Sequence, residues 1–211
     1  DGIRAVERSR GLGDVYKRQK WIKVLEEDPG GWPPSMTKSK LDEVRKRFGD
    51  DWPITRMVKD TMEMALAPLG KIKKRFEEPG KFLMIQAEEI TDRYDGKPIH
   101  VNATNLLEFI PPQGGNSFLD VLQRNIDAVN KQRVETGQKM IAHVNHPNFG
   151  WGIVAENLIE LRGDTFFEVY NGHPGVRNWG DEAHPGTDRM WDIVLAMRLR
   201  QGLDPLFGLA V

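Results

Sequence analysis

The sequence predicts an α/β fold, and two observations from its later part support this prediction. From residue 81 onward, short apolar runs of strand length alternate with longer amphipathic stretches of helical periodicity. The run Phe82–Ile85 is apolar at every position, which is typical of a strand that is covered on both faces. Strands that alternate with helices indicate a parallel sheet with right-handed crossovers, in which chemistry collects at the carboxyl ends of the strands.

The chain is predicted to contain three segments. Residues 1–19 have no sustained helical or strand period, and we interpret them as a non-native leader, because the stretch GLGDVYKRQ resembles a translated sequencing-adapter fragment. The alternative is an ordinary flexible basic arm. Residues 20–80 are predicted to be mainly helical and irregular, and residues 81–211 form the α/β segment.

Two short helices are predicted in the second segment. Apolar residues that recur three and four positions apart predict a helix that ends at Gly49. The second helix carries Leu69, Ile72 and Phe76 on one face, and the pair Pro79-Gly80 terminates it.

The third segment is predicted to hold five strands and three helices. The helices begin at a cap formed by Ser117, near Val154, and at Thr187. The predicted strands are Phe82–Ile85, His100–Leu106, Met140–Val144, Phe166–Tyr170 and Leu206–Val211.

Charge and composition restrict the possible functions. The formal net charge is −1, but residues 1–80 carry +4 and residues 81–211 carry −5. An acidic segment suits cations, so no nucleic-acid partner is expected. Cysteine is absent, which excludes thiolate ligands and leaves oxygen and imidazole nitrogen for any metal. No transmembrane span or signal peptide is visible, and the compartment stays undetermined.

The histidines and nearby carboxylates are the candidate functional residues. All five histidines lie between His100 and His184, and three of them directly precede proline. The pair Glu88-Glu89 follows the first predicted strand of the third segment. Imidazoles and carboxylates that meet at strand ends can bind divalent metals, so a metal-dependent hydrolase is the leading hypothesis. A solvent-exposed acidic loop is the alternative for the glutamate pair.

Alternation along a strand separates the two histidines of the HVNHPN run. Residues three apart point to opposite faces, so His143 and His146 cannot both be ligands unless the chain turns between them. His146, at the strand exit before Pro147, is the better ligand candidate, and His143 is a supporting or simply buried histidine. Glu168, Asn171 and His173 are candidates for supporting the ligands or facing the substrate, although Glu168 could also face solvent and His173 could be an ordinary surface histidine.

Two other classes of site lack their motifs. No GxSxG serine motif is present, and the glycine-rich stretches match neither a P-loop nor a dinucleotide fingerprint.

Three longer motifs resemble a known family. EEITDRYDGKPIHVNATNL, IAHVNHPNFGWGI and FFEVYNGHPGVRNWGDEAHPGTDRMWDIVLAMR together resemble the PHP (polymerase and histidinol phosphatase) superfamily. The most similar branch is that of the bacterial PHP-like, carbaryl-hydrolase-type metallohydrolases. The resemblance covers residues 76–211, and a looser similarity begins near residue 48.

The resemblance implies a fold, a metal centre and a reaction. The fold would be an incomplete, distorted (β/α)7 barrel with two or three divalent ions (Zn, Mn or Fe) at the carboxyl ends of its strands. In such enzymes the metals activate a water that attacks a small-molecule phosphoester, or in this branch another ester or carbamate. Matched by motif, Glu89, His100 and His146 would be metal ligands. Glu168 would match the acidic position of the next strand, whose role varies within the family.

The sequence departs from the family pattern in two places. The family has an HxH pair on its first strand and an Asp-x-His pair after its last, and neither occurs here. We therefore expect a fragment that is truncated at both ends, retains about half of the ligands and has little or no turnover. The alternative is a PHP-like domain that binds metal or serves a structural role without catalysis.

Overall fold

The computed structural model of the protein describes residues 20–30, 35–163, 166–205 and 207–210. The leader predicted for residues 1–19 lies outside these residues. The chain divides into two compact units, of which the first ends at Met84 and the second begins at Ile85. Within the described residues, every helix is too short or too polar to cross a lipid bilayer.

The described residues of the first unit form a small antiparallel sheet and two helices. Its elements are β1 (Lys20–Lys23), α1 (Lys38–Phe48), β2 (Thr55–Val58), β3 (Thr61–Leu66) and α2 (Leu69–Phe76). The strand order is β1-β3-β2. The prediction of a mainly helical and irregular segment is therefore wrong in part. Most of β2 is exposed and has no apolar alternation, so the pattern on which strand prediction depends is weak there.

Local signals explain the two helices of the first unit. The Thr37 hydroxyl accepts a hydrogen bond from the Lys40 N–H at the start of α1, and Gly49 ends this helix with φ +98°. Helix α2 follows Pro68 and ends at Phe76, three residues before Pro79.

The second unit is built on a five-stranded sheet of order β4-β5-β6-β7-β8. The pairs β4–β5 and β5–β6 are antiparallel, whereas β6–β7 and β7–β8 are parallel. Its elements are β4 (Ala87–Tyr94), β5 (Lys97–Thr104), α3 (Phe118–Thr136), β6 (Ile141–Val144), α4 (Ala155–Ile159), β7 (Phe166–Tyr170), α5 (Thr187–Arg200) and β8 (Phe207–Ala210).

The expected incomplete (β/α)7 barrel is wrong. Among the described residues the sheet is open, with β4 and β8 at its edges, and it is mixed rather than parallel. The main reason is the link between β4 and β5, which consists of Asp95 and Gly96 alone. Both residues have positive φ, as in the type I′ turn that Asp-Gly favours, and this turn joins antiparallel strands.

The predicted strand Phe82–Ile85 is also wrong. The sheet begins at Ala87 instead, and the side chains of Phe82, Leu83 and Ile85 are half or more exposed. Glu88 and Glu89 therefore lie near the start of a strand rather than at its end. The predicted outer residues of the last strand, 206 and 211, lie outside the described residues.

The sheet of the second unit has one apolar and one polar face. Ile90, Val101 and Val144 pack with the buried residues of α3, α4 and α5 in one core. Because side chains alternate along a strand, their neighbours point to the other face. The paired residues Glu89, Asn102 and His143 lie on this polar face. The polar face carries the candidate site.

Candidate metal centre

Three of the predicted site residues meet on the polar face of the second unit. Glu89 lies on β4 and His100 on β5, where Thr91 pairs with His100 and places Glu89 diagonally across from it. His146 follows the end of β6 by two residues. These residues are distant in sequence, and the β4–β5–β6 pairing brings them to one place.

The three potential ligand atoms form a nearly equilateral triangle. His100 Nδ1 lies 3.2 Å from His146 Nε2, and Glu89 Oε1 lies 3.2 Å from His146 Nε2 and 3.4 Å from His100 Nδ1. Tetrahedral ligands at about 2.0–2.1 Å from a zinc ion would be separated by about 3.3–3.4 Å. The triangle therefore has the dimensions of three corners of a metal tetrahedron.

Hydrogen bonds alone account poorly for this triangle. Each imidazole nitrogen has one in-plane direction, which holds either a proton or a lone pair. Both nitrogens can donate to Glu89 Oε1 only if both carry protons, and their separation of 3.2 Å then brings two N–H groups together. A cation at the centre would use one lone pair from each of the three atoms, so the donor set fits a divalent ion.

The environment of Glu89 favours its charged form. Burial raises the pKa of this carboxyl, but hydrogen bonds and positive charge from His100 and His146 outweigh burial and hold the pKa well below its usual range. The Asn145 side chain donates a further hydrogen bond to Glu89 Oε1. Asn145 is almost fully buried, so this amide orients the carboxylate.

His146 lies in an unusual backbone conformation. Its φ is +27°, in the left-handed region that residues other than glycine seldom adopt. The Phe149 N–H donates to the His146 carbonyl at 3.0 Å, which closes a tight turn directly after β6. The chain therefore turns at His146 itself, directly before Pro147, as expected for the better ligand candidate of the two histidines.

Glu168 and Asn171 lie beside His146 rather than within the triangle. The His146 N–H donates to Glu168 Oε2 at 2.8 Å, and the Asn171 side chain donates to the same oxygen at 2.9 Å. Glu168 is 2% exposed on β7. The surface alternative for Glu168 is therefore wrong, and this carboxylate contacts the main chain of a candidate ligand.

His143 points to the polar face but bonds elsewhere. Its Nε2 lies 3.1 Å from the Asn102 side-chain nitrogen, and its Nδ1 has no hydrogen-bond partner among the described residues. Burial lowers the pKa of this imidazole. His143 therefore favours its neutral form.

The two later histidines lie outside the triangle. His173 Nδ1 accepts a hydrogen bond from the Gly175 N–H at 2.9 Å, and its ring packs 5.6 Å from the Phe149 ring. His184 is bonded to Asp181 and stacks on Trp151 with ring centroids 4.1 Å apart.

Asn145 and Phe149 were not predicted as site residues. The Phe149 ring lies 5.0 Å from the His146 ring and 6.2 Å from the His100 ring, so it forms an apolar wall beside the triangle. For Asn145 a signal existed, because it is two residues from His143 and alternation places both on one face. Phe149 carried no such signal, since its position depends on the turn at His146.

Glu88 lies on the opposite, apolar face, where it pairs with Ala103. Its Oε1 accepts a hydrogen bond from the Ile110 N–H at 2.9 Å, and its Oε2 is buried without a hydrogen-bond partner among the described residues. Burial raises the pKa of Glu88 to about 7, against the opposing effect of the Ile110 hydrogen bond. The exposed-loop alternative for the glutamate pair is therefore wrong.

Comparisons with known proteins identify no relative. No protein-family model matches the chain, and neither a curated protein nor a solved structure matches it.

Proposed function

We propose that this protein binds a divalent metal ion through Glu89, His100 and His146, and that the site is the centre of a metal-dependent hydrolase. The single observation that carries the proposal is the triangle of ligand atoms with sides of 3.2–3.4 Å. The proposed substrate is a small phosphoester or related ester.

The donor set supports both the metal and the hydrolytic role. Two imidazole nitrogens and one carboxylate oxygen suit Zn, Mn or Fe. Three protein ligands also leave one position of a tetrahedron open, as in catalytic zinc sites, whereas structural sites use four protein ligands. A bound ion would supply a Lewis acid that lowers the pKa of water and polarises the scissile ester.

The chain's own residues would perform the remaining tasks. Glu89 offsets part of the charge of the ion, and Asn145 keeps its carboxylate turned toward the two imidazoles. The ring of Phe149 excludes water from one side of the two imidazoles, which strengthens their electrostatic interactions. The PHP assignment is a proposal that rests on the sequence motifs, and the open sheet gives it no support.

Hydrolysis of a chromogenic phosphoester such as p-nitrophenyl phosphate tests the proposal. The expected rate is low because the triangle supplies ligands for a single ion, so protein in excess over substrate is the suitable condition. We expect product release with added Zn²⁺ or Mn²⁺, loss of activity with a chelator, and loss in His146→Ala.

His184→Ala is the matched control, because it removes an imidazole that lies outside the triangle, and it should retain the activity. Activity that survives both the chelator and His146→Ala would refute the metal mechanism. Metal binding without any product under these conditions would favour the non-catalytic metal-binding alternative.

A further inference from the structure

Glu168 combines deep burial with a direct bond to the chain at the metal triangle. It is 2% exposed on β7, and its Oε2 accepts both the His146 N–H at 2.8 Å and the Asn171 side-chain N–H at 2.9 Å. A buried carboxylate is unfavourable unless hydrogen bonds compensate the loss of water. Both bonds converge on Oε2, and one of them comes from the backbone of a candidate ligand.

The backbone of His146 needs such a partner. Its φ of +27° is unfavourable for a residue with a side chain, and Pro147 further restricts the residue that precedes it. Strained conformations of this kind persist only where the surrounding structure determines them. The bond from the His146 N–H to Glu168 fixes the N-terminal side of the strained residue, and the Phe149 N–H fixes its carbonyl.

The second donor to Glu168 is itself held in place. The Asn171 N–H donates to Asn178 Oδ1 at 2.9 Å, and the Asn178 side chain donates back to the Asn171 carbonyl at 2.8 Å. The Asn178 carbonyl accepts the Thr187 N–H at 2.8 Å, at the first residue of α5. The carboxylate orientation is therefore determined by both the strand and the start of the following helix.

We infer that Glu168 is a positioning residue for the metal site. It holds the left-handed turn that aims the His146 ring at Glu89 and His100, and so it sets the affinity for the ion without being a ligand. This inference rests on the proposed function, since it concerns the same metal. Metal binding then depends on a fourth residue, Glu168, which lies on β7, a strand that contributes no ligand.

The test compares Zn²⁺ affinity among folded variants by competition with a chromogenic chelator. Loss of a residue that orients a ligand reduces metal affinity about 10–100-fold, and we expect this loss in Glu168→Ala. Glu168→Gln keeps an oxygen that can accept the same two bonds, so it should recover part of the affinity. Glu160→Ala removes an exposed carboxylate from the same unit and should bind as the parent does.

The visible spectrum of bound Co²⁺ provides a readout that a merely structural role would not change. We expect the Glu168→Ala spectrum to differ from that of the parent, because a displaced His146 alters the coordination geometry. Asn171→Ala removes one of the two hydrogen bonds to Glu168 Oε2, and Asn171 is only half-buried. This variant replaces Glu168→Ala in the test if Glu168→Ala fails to fold. It should weaken Zn²⁺ binding less than Glu168→Ala does.

The outcomes separate this inference from the proposed function. A parent protein that binds no Zn²⁺ would refute both. A parent that binds Zn²⁺, with Glu168→Ala binding as tightly and giving the same Co²⁺ spectrum, would refute the positioning role alone. If only Asn171→Ala folds, parental affinity in that variant would likewise overturn the inference.

Discussion

Glu88 and Glu89 are neighbours in sequence, yet the sheet places them on opposite faces, and the pKa values of their carboxyls shift in opposite directions. Glu88 is buried against the apolar core, which raises its pKa to about 7. Glu89 faces two imidazoles, whose bonds and charge hold its pKa below the usual range. Because adjacent side chains of a strand point to opposite faces, the carboxyl of Glu88 favours its neutral form and that of Glu89 favours its charged form.

The raised pKa of Glu88 predicts a pH-dependent stability. Its stabilising contribution is fully present below the ordinary pKa of 4.5 and is lost as the pH rises through about 7. Glu88→Gln removes this titration while keeping an oxygen for the Ile110 N–H. The free energy of unfolding of Glu88→Gln, measured relative to that of the parent, should therefore rise by up to about 3 kcal/mol between pH 5 and pH 8. This follows from about 1.4 kcal/mol for each unit of pKa shift.

Urea unfolding of both proteins at the two pH values measures this difference. Glu160→Gln, at an exposed position, should change stability equally at both. If the stability difference between Glu88→Gln and the parent is the same at pH 5 and at pH 8, Glu88 is not buried as described.

Glu89→Gln is expected to reduce Zn²⁺ affinity at least about 100-fold, more than the loss of a residue that only orients a ligand. The amide keeps the size of the side chain but removes the negative charge that the cation needs. Glu88→Gln is the matched control, because it makes the same change one residue away on the opposite face. Competition titration with a chromogenic chelator measures both, and equal affinities in the two variants would exclude Glu89 as a ligand.

At the scale of elements, the loop that carries His146 depends on a glycine at its far end. A Cβ on Gly152 would lie 2.1 Å from the Pro98 carbonyl oxygen, which is closer than any non-bonded contact allows. The absence of a side chain at Gly152 thus allows the loop after β6 to lie close against β5, the strand that carries His100. The close approach of this loop to Pro98 therefore requires a residue without a side chain at position 152.

Gly152→Ala should move this loop away from β5 and weaken Zn²⁺ binding. The expected loss is at least about 10-fold, comparable to the loss of a residue that orients a ligand. Gly172→Ala is the control, since a Cβ there meets nothing within 4 Å. Zn²⁺ affinities of the folded variants check the prediction, and an unchanged affinity in Gly152→Ala would show that the loop position does not matter for the site.

Several elements were predictable because their signals are local. The stripe that ends at Gly49 predicted α1, and Ser117 caps α3 as expected, with its hydroxyl accepting the Asp120 N–H at 3.0 Å. The strand Phe166–Tyr170 also has the predicted bounds. In each case the cap or the apolar pattern lies within the element or directly beside it, so no knowledge of distant contacts was needed.

The pairing of the strands was predicted wrongly, and one overlooked local signal explains much of the error. Asp95-Gly96 is a hairpin turn between β4 and β5, whereas the sequence prediction puts the first strand at the exposed run Phe82–Ile85, too far upstream to pair through this turn. Of the candidate site, the sequence indicated the three possible ligands, Glu89 and His100 by resemblance to family motifs and His146 also by its place after a strand. The contact between Glu168 and His146 depends on the pairing of β6 with β7, which local patterns do not report.

At the scale of the whole molecule, metal binding should raise the thermal stability. An ion that binds only the folded state stabilises it by about 2.7 kcal/mol at a concentration of 100 times its Kd. For a chain of this length that corresponds to an increase of roughly 5–11 °C in Tm. Differential scanning fluorimetry with Zn²⁺, followed by chelator, measures the shift, and Glu89→Gln should show only a small fraction of it. A shift of the same size in Glu89→Gln would place the ion elsewhere.

The central claim is that Glu89, His100 and His146 bind one divalent ion. The most direct measurement is an anomalous difference map from crystals grown with Zn²⁺ and recorded at the zinc absorption edge. The claim predicts one strong peak at about 2.0–2.1 Å from Glu89 Oε1, His100 Nδ1 and His146 Nε2. A map without density at this position, or with zinc bound only to other residues, would contradict it.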